Sequence, residues 1–185
     1  MRRINKSLVY VLTALWIIVF VVGLASVVSA QPFGKGKFGA NVPFGSETSL
    51  AISTTGNVTI QITPTDAGVL GTATNDVTVT STDVVGYKLY IRALTSTDMV
   101  NGAATLPASA NGTPAALAIN TWGYNTDAST NFVGMTTGDV LIKTATGPFS
   151  SGDLTQVTYG VKIDNNKPAG NYVTTVIYTA APQTD

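Results

Sequence analysis

The sequence lacks the side chains on which most enzymes and metal sites depend. It contains no histidine and no cysteine, and Glu47 is its single glutamate. The missing cysteines exclude disulfides, thiolate nucleophiles and thiolate metal sites. The missing histidines remove the side chain that most often acts as a general acid or base near neutral pH. No Gly-x-Ser-x-Gly or Ser-x-x-Lys motif supplies an activated serine. We therefore expect a protein that is not an enzyme.

Oxygen ligands remain, so calcium is the one metal that the composition leaves open. The densest oxygen clusters are Asn125-Thr126-Asp127 and Asp164-Asn165-Asn166. Neither cluster has the ligand spacing of an EF-hand, and Asp and Asn are also common residues of ordinary turns. We interpret both clusters as turns and expect no metal and no cofactor.

Charge is scarce as well. Charged residues make up 11% of the chain, and the formal net charge is zero. Removing the three basic residues at positions 2, 3 and 6 with an export segment would lower the basic residues from ten to seven, against ten acidic ones. Such a mature chain cannot offset the repulsion of phosphates, so we expect no nucleic-acid partner. Its polarity comes mostly from Thr, Ser and Asn, and Thr favours strands because it is β-branched.

The first 30 residues have the order of a secretory signal peptide. Basic residues at positions 2, 3 and 6 precede an apolar stretch at 8–28, and Val28-Ser29-Ala30 supplies the small residues of a cleavage site. Cleavage would leave Gln31 as the first residue of an extracytoplasmic protein, either secreted or held at the cell surface. The apolar stretch is also long enough to span a bilayer, so a retained membrane anchor is the alternative. In that case only residues 8–28 would contact the membrane.

Residues 31–46 are rich in Gly and Pro, and we interpret them as a flexible arm between the export segment and the domain. Phe33, Phe38, Val42 and Phe44 make this N-terminal arm apolar. Apolar side chains on such a segment are costly in water unless another surface buries them. That surface is either the arm's own domain or a sheet edge of a neighbouring copy. The second case predicts assembly by strand addition.

The remaining residues, 47–185, are predicted to form one β-domain. Apolar and polar residues alternate with the period of a strand in several segments, and turn-forming residues separate these segments. The turn formers at 164–170 predict a hairpin in which 172–180 returns beside 157–163. The predicted fold is all-β, an antiparallel two-sheet β-sandwich preceded by an N-terminal hydrophobic export helix. The other predicted strands are 58–63, 77–80, 86–92, 116–119, 121–124 and 139–145.

Three aromatic residues are candidates for contact with a glycan or another partner. Trp122 and Tyr124 flank Gly123 in a loop-rich region, and Tyr90 lies on the polar face of the strand at 86–92. Exposed aromatic rings of this kind can stack on sugars. The competing interpretation of Trp122 is a core residue packed between two sheets, as in many sandwiches. A cross-strand pair would explain Tyr90 equally well.

Five short motifs follow one another in the second half of the chain. They are VGYKL at 85–89, TWGY at 121–124, YGVKID at 159–164, PAGNY at 168–172 and VIYTA at 176–180. In this order they resemble small exported proteins of the Patescibacteria, the Saccharibacteria among them. The resemblance covers about residues 75–181 and implies an extracytoplasmic β-sandwich.

A more distant resemblance is to the WxL cell-surface domain of Gram-positive bacteria. That domain also has an early strand with a Gly-aromatic pair and an Ala-Gly-x-Tyr turn before its last strand. It carries two Trp-x-Leu motifs, whereas this chain has Trp122-Gly123-Tyr124 and Tyr178-Thr179-Ala180 at the comparable places. Neither motif is intact, so the family's attachment to peptidoglycan is not carried over to this chain.

The sequence therefore predicts a non-catalytic, exported cell-surface protein with a structural or adhesive role, such as a filament subunit. The alternative is a carbohydrate-binding or cell-wall-binding module that uses Trp122, Tyr124 and Tyr90. The expected partners are further copies of the chain or a component of the cell wall or surface.

Overall fold

The computed structural model of the protein describes residues 49–183, and this part of the chain is all-β. It contains nine strands and, between these two residues, no helix. All of the strand pairs are antiparallel, as predicted. The predicted export segment and the N-terminal arm lie outside the described residues. The strands are β1 (Ser49–Thr54), β2 (Val69–Thr82), β3 (Gly86–Ala93), β4 (Met99–Asn101), β5 (Ala104–Leu106), β6 (Thr121–Asn125), β7 (Val140–Thr146), β8 (Phe149–Ile163) and β9 (Val176–Gln183).

The strands form two larger sheets and one small hairpin. The first sheet has the order β1-β2-β8-β6, the second has the order β7-β3-β9, and β4 pairs only with β5. Buried side chains of both larger sheets belong to one apolar cluster, so the two sheets share a single core. In the described range, no helix is long and apolar enough to cross a bilayer.

The alternation of residue types determines which face of β2 and which face of β3 packs against the core. Val77 and Val79 of β2 are fully buried, whereas the threonines between and beside them are partly exposed. On β3, Tyr87, Leu89 and Ile91 are fully buried, and the intervening residues are only half-buried. Successive side chains of a strand point to opposite faces, so the strand-like alternation predicted at 77–80 and 86–92 is confirmed.

A pair of glycines on β6 and β8 leaves a patch without side chains on the outer face of the first sheet. Gly123 lies directly opposite Gly160 in the ladder of these two strands. The ring of Phe132, which is fully buried, covers this patch, and a Cβ added at Gly160 would lie 2.5 Å from the ring. An added Cβ at Gly123 would collide with the carbonyl oxygen of Val133. Glycine is therefore required at both positions by close packing.

The strand predicted at 58–63 is wrong, because residues 55–65 form no strand in the structure. The alternation is nevertheless real, since Val58, Ile60 and Ile62 pack against the core. Ile60 and Ile62 lie over Gly71 of β2, where an added Cβ would meet their side chains at 2.6–2.7 Å. A strand-like pattern of side chains needs only one buried face, whereas a strand also needs a hydrogen-bonded neighbour.

The short strand predicted at 116–119 is also absent. Leu117 lies in a loop there, and its side chain is buried. Three strands that the sequence did not predict are β1, β4 and β5. β1 is mostly exposed, and β4 and β5 have three residues each, so none of them carries a strong period-two pattern.

The predicted C-terminal hairpin is wrong in its pairing. β8 pairs with β2 and β6, whereas β9 pairs with β3 in the other sheet. The predicted turn residues do form a local turn, in which the Asp164 carboxylate accepts hydrogen bonds from the side chains of Asn120 and Asn166. Residues 164–175 then carry the chain from one sheet to the other, and β9 begins at Val176 rather than at residue 172.

Substituting Gly160→Ala tests the packing of Phe132. We expect a loss of about 1–3 kcal/mol in the free energy of unfolding, because the new methyl group must displace a fully buried ring. Urea denaturation followed by circular dichroism measures this loss. Gly138→Ala is the control, since an added Cβ at Gly138 meets nothing within 4 Å. Equal stabilities of the two variants would contradict this account of Gly160.

Candidate functional site

The three aromatic residues singled out from the sequence do not form one surface. Trp122 and Tyr124 lie on the inner face of β6 with 0% and 4% of their surface exposed. The indole N–H of Trp122 donates a hydrogen bond to the carbonyl oxygen of Thr97 at 2.8 Å. Burial raises the pKa of the Tyr124 hydroxyl. Trp122 is therefore a core residue, which was the competing interpretation to stacking on a sugar.

Tyr90 belongs to the other sheet. It lies on the outer face of β3 and is half-buried there, between Lys88 and Arg92 along the strand. Its ring is thus partly accessible, but it lies apart from Trp122 and Tyr124, which point into the core from β6.

The two oxygen-rich clusters are built as turns. Asn125 donates two hydrogen bonds from its side-chain amide, to the carbonyl oxygens of Ser129 and Asn131. The Asp127 carboxylate accepts a hydrogen bond from the backbone N–H of Ser129, and the hydrogen bonds of Ser129 lower its pKa. Hydrogen bonds from Asn120 and Asn166 likewise lower the pKa of Asp164. In the part of the chain that the structure describes, no three acidic side chains are grouped to hold a metal ion.

One charged cluster connects the two sheets. Asp153 of β8 accepts hydrogen bonds of 2.7 Å from the Tyr87 hydroxyl of β3 and from the Lys143 ammonium of β7. Burial alone would raise the pKa of Asp153, but the hydrogen bonds from Lys143 and Tyr87 outweigh burial and lower it. Burial, followed by the hydrogen bond to Asp153, raises the pKa of Tyr87. Because Tyr87 is fully buried, we interpret this cluster as a structural tie between the sheets.

Acidification should weaken this tie. The pKa of Asp153 is lower in the folded state, so its contribution to stability is present above the unfolded value of about 4 and is lost as the pH falls through the folded value. We expect Asp153→Asn to cost about 1–3 kcal/mol at pH 7. The cost should shrink in urea denaturation series below about pH 4.

Asp139→Asn serves as the control for the pH experiment. Asp139 forms an ion pair with Arg92 at 3.3 Å, but its side chain is 56% exposed, and such surface pairs contribute little. We expect no measurable change in stability for this control. A cost of Asp153→Asn that does not vary between pH 7 and pH 3 would show that the charge of Asp153 is unimportant.

One concave feature of the described residues is a groove of about 1290 Å³, in which apolar side chains are mixed with polar ones such as Asn57, Asn75 and Asn171. Beneath its floor lie the buried side chains of Trp122 in β6 and of Tyr159 and Val161 in β8, which are at most 7% exposed. Its walls are two chain segments, residues 57–64 and residues 171–178, the second of which includes the start of β9. We refer to this feature as the apolar groove.

Two tyrosine residues beside the apolar groove connect β8 with β9. The hydroxyl oxygens of Tyr159 in β8 and Tyr178 in β9 are 2.6 Å apart and share a hydrogen bond. Burial, reinforced by Tyr178, raises the pKa of Tyr159, and burial raises the pKa of Tyr178 to about 12. The ring of Trp122 packs beside Tyr159 with 6.4 Å between the ring centroids. The floor is thus attached to the second sheet by a neutral pair of hydroxyl groups.

One edge of the apolar groove is formed by the start of β9, through Val176 and Tyr178. In the described part of the chain β9 pairs with β3 alone, so it is an edge strand of its sheet. Alternate residues of an edge strand point their N–H and C=O groups away from the sheet. Two exposed apolar residues lie on the rim, namely Val173 with 62% and Ile52 with 40% of its surface exposed. A strand edge with exposed apolar residues beside it suits an extended polypeptide better than a small polar ligand.

The hydrogen bond between Tyr159 and Tyr178 can be tested by a double-mutant cycle. Either single substitution to Phe should cost about 1–3 kcal/mol, because it leaves a buried hydroxyl without its partner. The double variant should cost clearly less than the sum of the two, since both polar groups are removed together. Tyr90→Phe is the control, and we expect it to be neutral in the same urea denaturation experiment. Additive costs in the cycle would argue against the hydrogen bond.

Comparisons with known proteins do not place the chain in a family. No family model matches the sequence, no curated protein is significantly similar to it, and no solved structure matches its fold.

Proposed function

We propose that this is a non-catalytic, exported cell-surface protein with a structural or adhesive role, built as a self-associating subunit of a filament. Residues 1–30 are its signal peptide, residues 31–46 are its connecting arm, and the remaining chain is a two-sheet β-sandwich domain. Its place is outside the cytoplasm, and its partners are other copies of the chain at the cell surface.

The observation that carries this proposal is the apolar groove beside the open edge of β9. Strand addition uses such an edge, because main-chain hydrogen bonds supply affinity and pockets for alternate side chains supply specificity. A surface of this kind recognises a polypeptide. Subunits that recognise one another through strands can form long assemblies, since a head-to-tail contact gives an open filament whenever its rotation does not close into a ring.

The hydrogen bonds accepted by three Asp carboxylates also support a structural role. Asp153 ties the two sheets together through Tyr87 and Lys143. Asp127 and Asp164 hold turns by accepting hydrogen bonds from their neighbours. Each of these acids has a partner in the folded domain, and the hydrogen bonds lower the pKa of each, so they remain ionised at neutral pH.

The alternative, a carbohydrate-binding or cell-wall-binding module, has less support from the positions of its residues. Stacking on a sugar requires an accessible ring face, and the rings of Trp122 and Tyr124 are buried. Tyr90 is the one of the three candidates that retains partial exposure, and it lies on the other sheet.

Sedimentation and electron microscopy of the exported protein test the proposed function. We expect mass spectrometry to show a chain beginning at Gln31, and this mature protein to assemble as its concentration rises. Negative-stain images should show fibres. A strictly monomeric mature protein that binds glycans through Tyr90 would contradict the proposal and favour the alternative.

A further inference from the structure

Three places in the sequence match the acceptor motif of N-glycosylation, which is Asn-x-Ser or Asn-x-Thr with x other than Pro. They are Asn5-Lys6-Ser7, Asn57-Val58-Thr59 and Asn111-Gly112-Thr113. Asn5 lies among the basic residues that precede the apolar stretch at 8–28, and such residues favour the cytoplasmic side of a membrane. An acceptor must lie in an accessible surface segment of an exported chain. The structure distinguishes the two remaining motifs by this requirement.

Asn57 lies on the surface, in a segment that presents the motif outward. It follows the last residue of β1 by three positions, and residues 55–65 form no strand. Exposed and half-buried residues alternate along 57–64, as they do in an extended segment with one face packed on a core. Asn57 and Thr59 are both exposed, whereas Val58 between them packs against the core. The two side chains that define the motif therefore share one outward face.

Asn111 is held in the fold through the atom that glycosylation would modify. Its side-chain Nδ2 donates hydrogen bonds to the carbonyl oxygens of Ala115 and Phe132 at 3.1 Å and of Ala116 at 3.3 Å. A sugar on Nδ2 would replace one of its two hydrogens and would occupy the space beside these carbonyl groups. The folded domain therefore offers Asn57 as an acceptor and withholds Asn111.

We infer that Asn57 is a site of N-glycan attachment and that Asn111 stays unmodified. This inference rests on the export that is part of the proposed function, because the motif is used in exported chains. A glycan on Asn57 points away from the core with the side chain that carries it, so it leaves the packing of Val58 unchanged.

The co-substrate is an oligosaccharide joined through a diphosphate to a polyprenyl lipid, and an oligosaccharyltransferase of the exporting cell catalyses the transfer. Nδ2 of Asn57 forms a bond to the anomeric carbon of the first sugar. The bond from that carbon to the diphosphate oxygen breaks, and its electron pair leaves with the polyprenyl diphosphate. Nδ2 loses one proton, so the product is a substituted amide with one remaining N–H.

Mass spectrometry of the exported protein, recovered from the cells that naturally make it, tests the inference. We expect its mass to exceed that of the mature polypeptide by one oligosaccharide, and tandem spectra of proteolytic fragments to place this oligosaccharide on Asn57. Thr59→Val, made in the same cells, should remove all of the added mass, because it destroys the motif and keeps Asn57. Thr59→Ser is the matched control and should keep the added mass, since Ser also completes the motif.

The second motif supplies a further control. Thr113→Val should leave the added mass unchanged, because Asn111 carries no glycan. An exported protein of unmodified mass, a glycan on Asn111, or an added mass that survives Thr59→Val would overturn the inference and leave the proposed export standing. A full-length chain retained in the cytoplasm would overturn both the inference and the proposed function. A glycan on Asn57 of an exported protein that never assembles would support the inference and contradict the proposed filament.

Discussion

The connection of β8 to both sheets is the constraint on which the rest of the domain depends. The backbone of β8 pairs with β2 and β6, which makes it a central strand of the first sheet. Its side chains also reach the second sheet, through Asp153 to Tyr87 near one end and through Tyr159 to Tyr178 further along. These two contacts are about 20 Å apart along the strand. They fix the distance between the sheets at two levels and leave little freedom for one sheet to slide over the other.

The apolar groove follows from the unequal sizes of the two sheets. β2 and β8 have 14 and 15 residues, whereas β9 has eight and is the last strand of a three-stranded sheet. The first sheet therefore presents more inner face than the second sheet covers. Residues 57–64 cover part of the excess with Ile60 and Ile62, but they do not pair with β9. A groove with an open edge remains, so the site is a property of the whole fold.

The sequence predicted which residues face the core far better than it predicted which strands are neighbours. Alternation depends on local residue order, and it located the buried faces of β2, β3 and β8. Pairing depends on residues distant in the chain, so the proposed hairpin failed, and β9 pairs with β3 instead. The same limit applied to the site. Val58, Ile60 and Ile62 alternate like a strand, yet only the fold shows that they form a wall of a groove.

The short sequence motifs at 121–124 and 159–164 contribute to packing more than to binding. Trp122 and Tyr159 pack in the core with the inner faces of β6 and β8. Gly123 and Gly160 lie in the same two motifs. Because they have no side chains, they leave room for Phe132 on the outer face. Val173, the more exposed of the two apolar residues on the rim of the groove, lies outside these motifs, so the motifs account for the core and leave the rim to other residues.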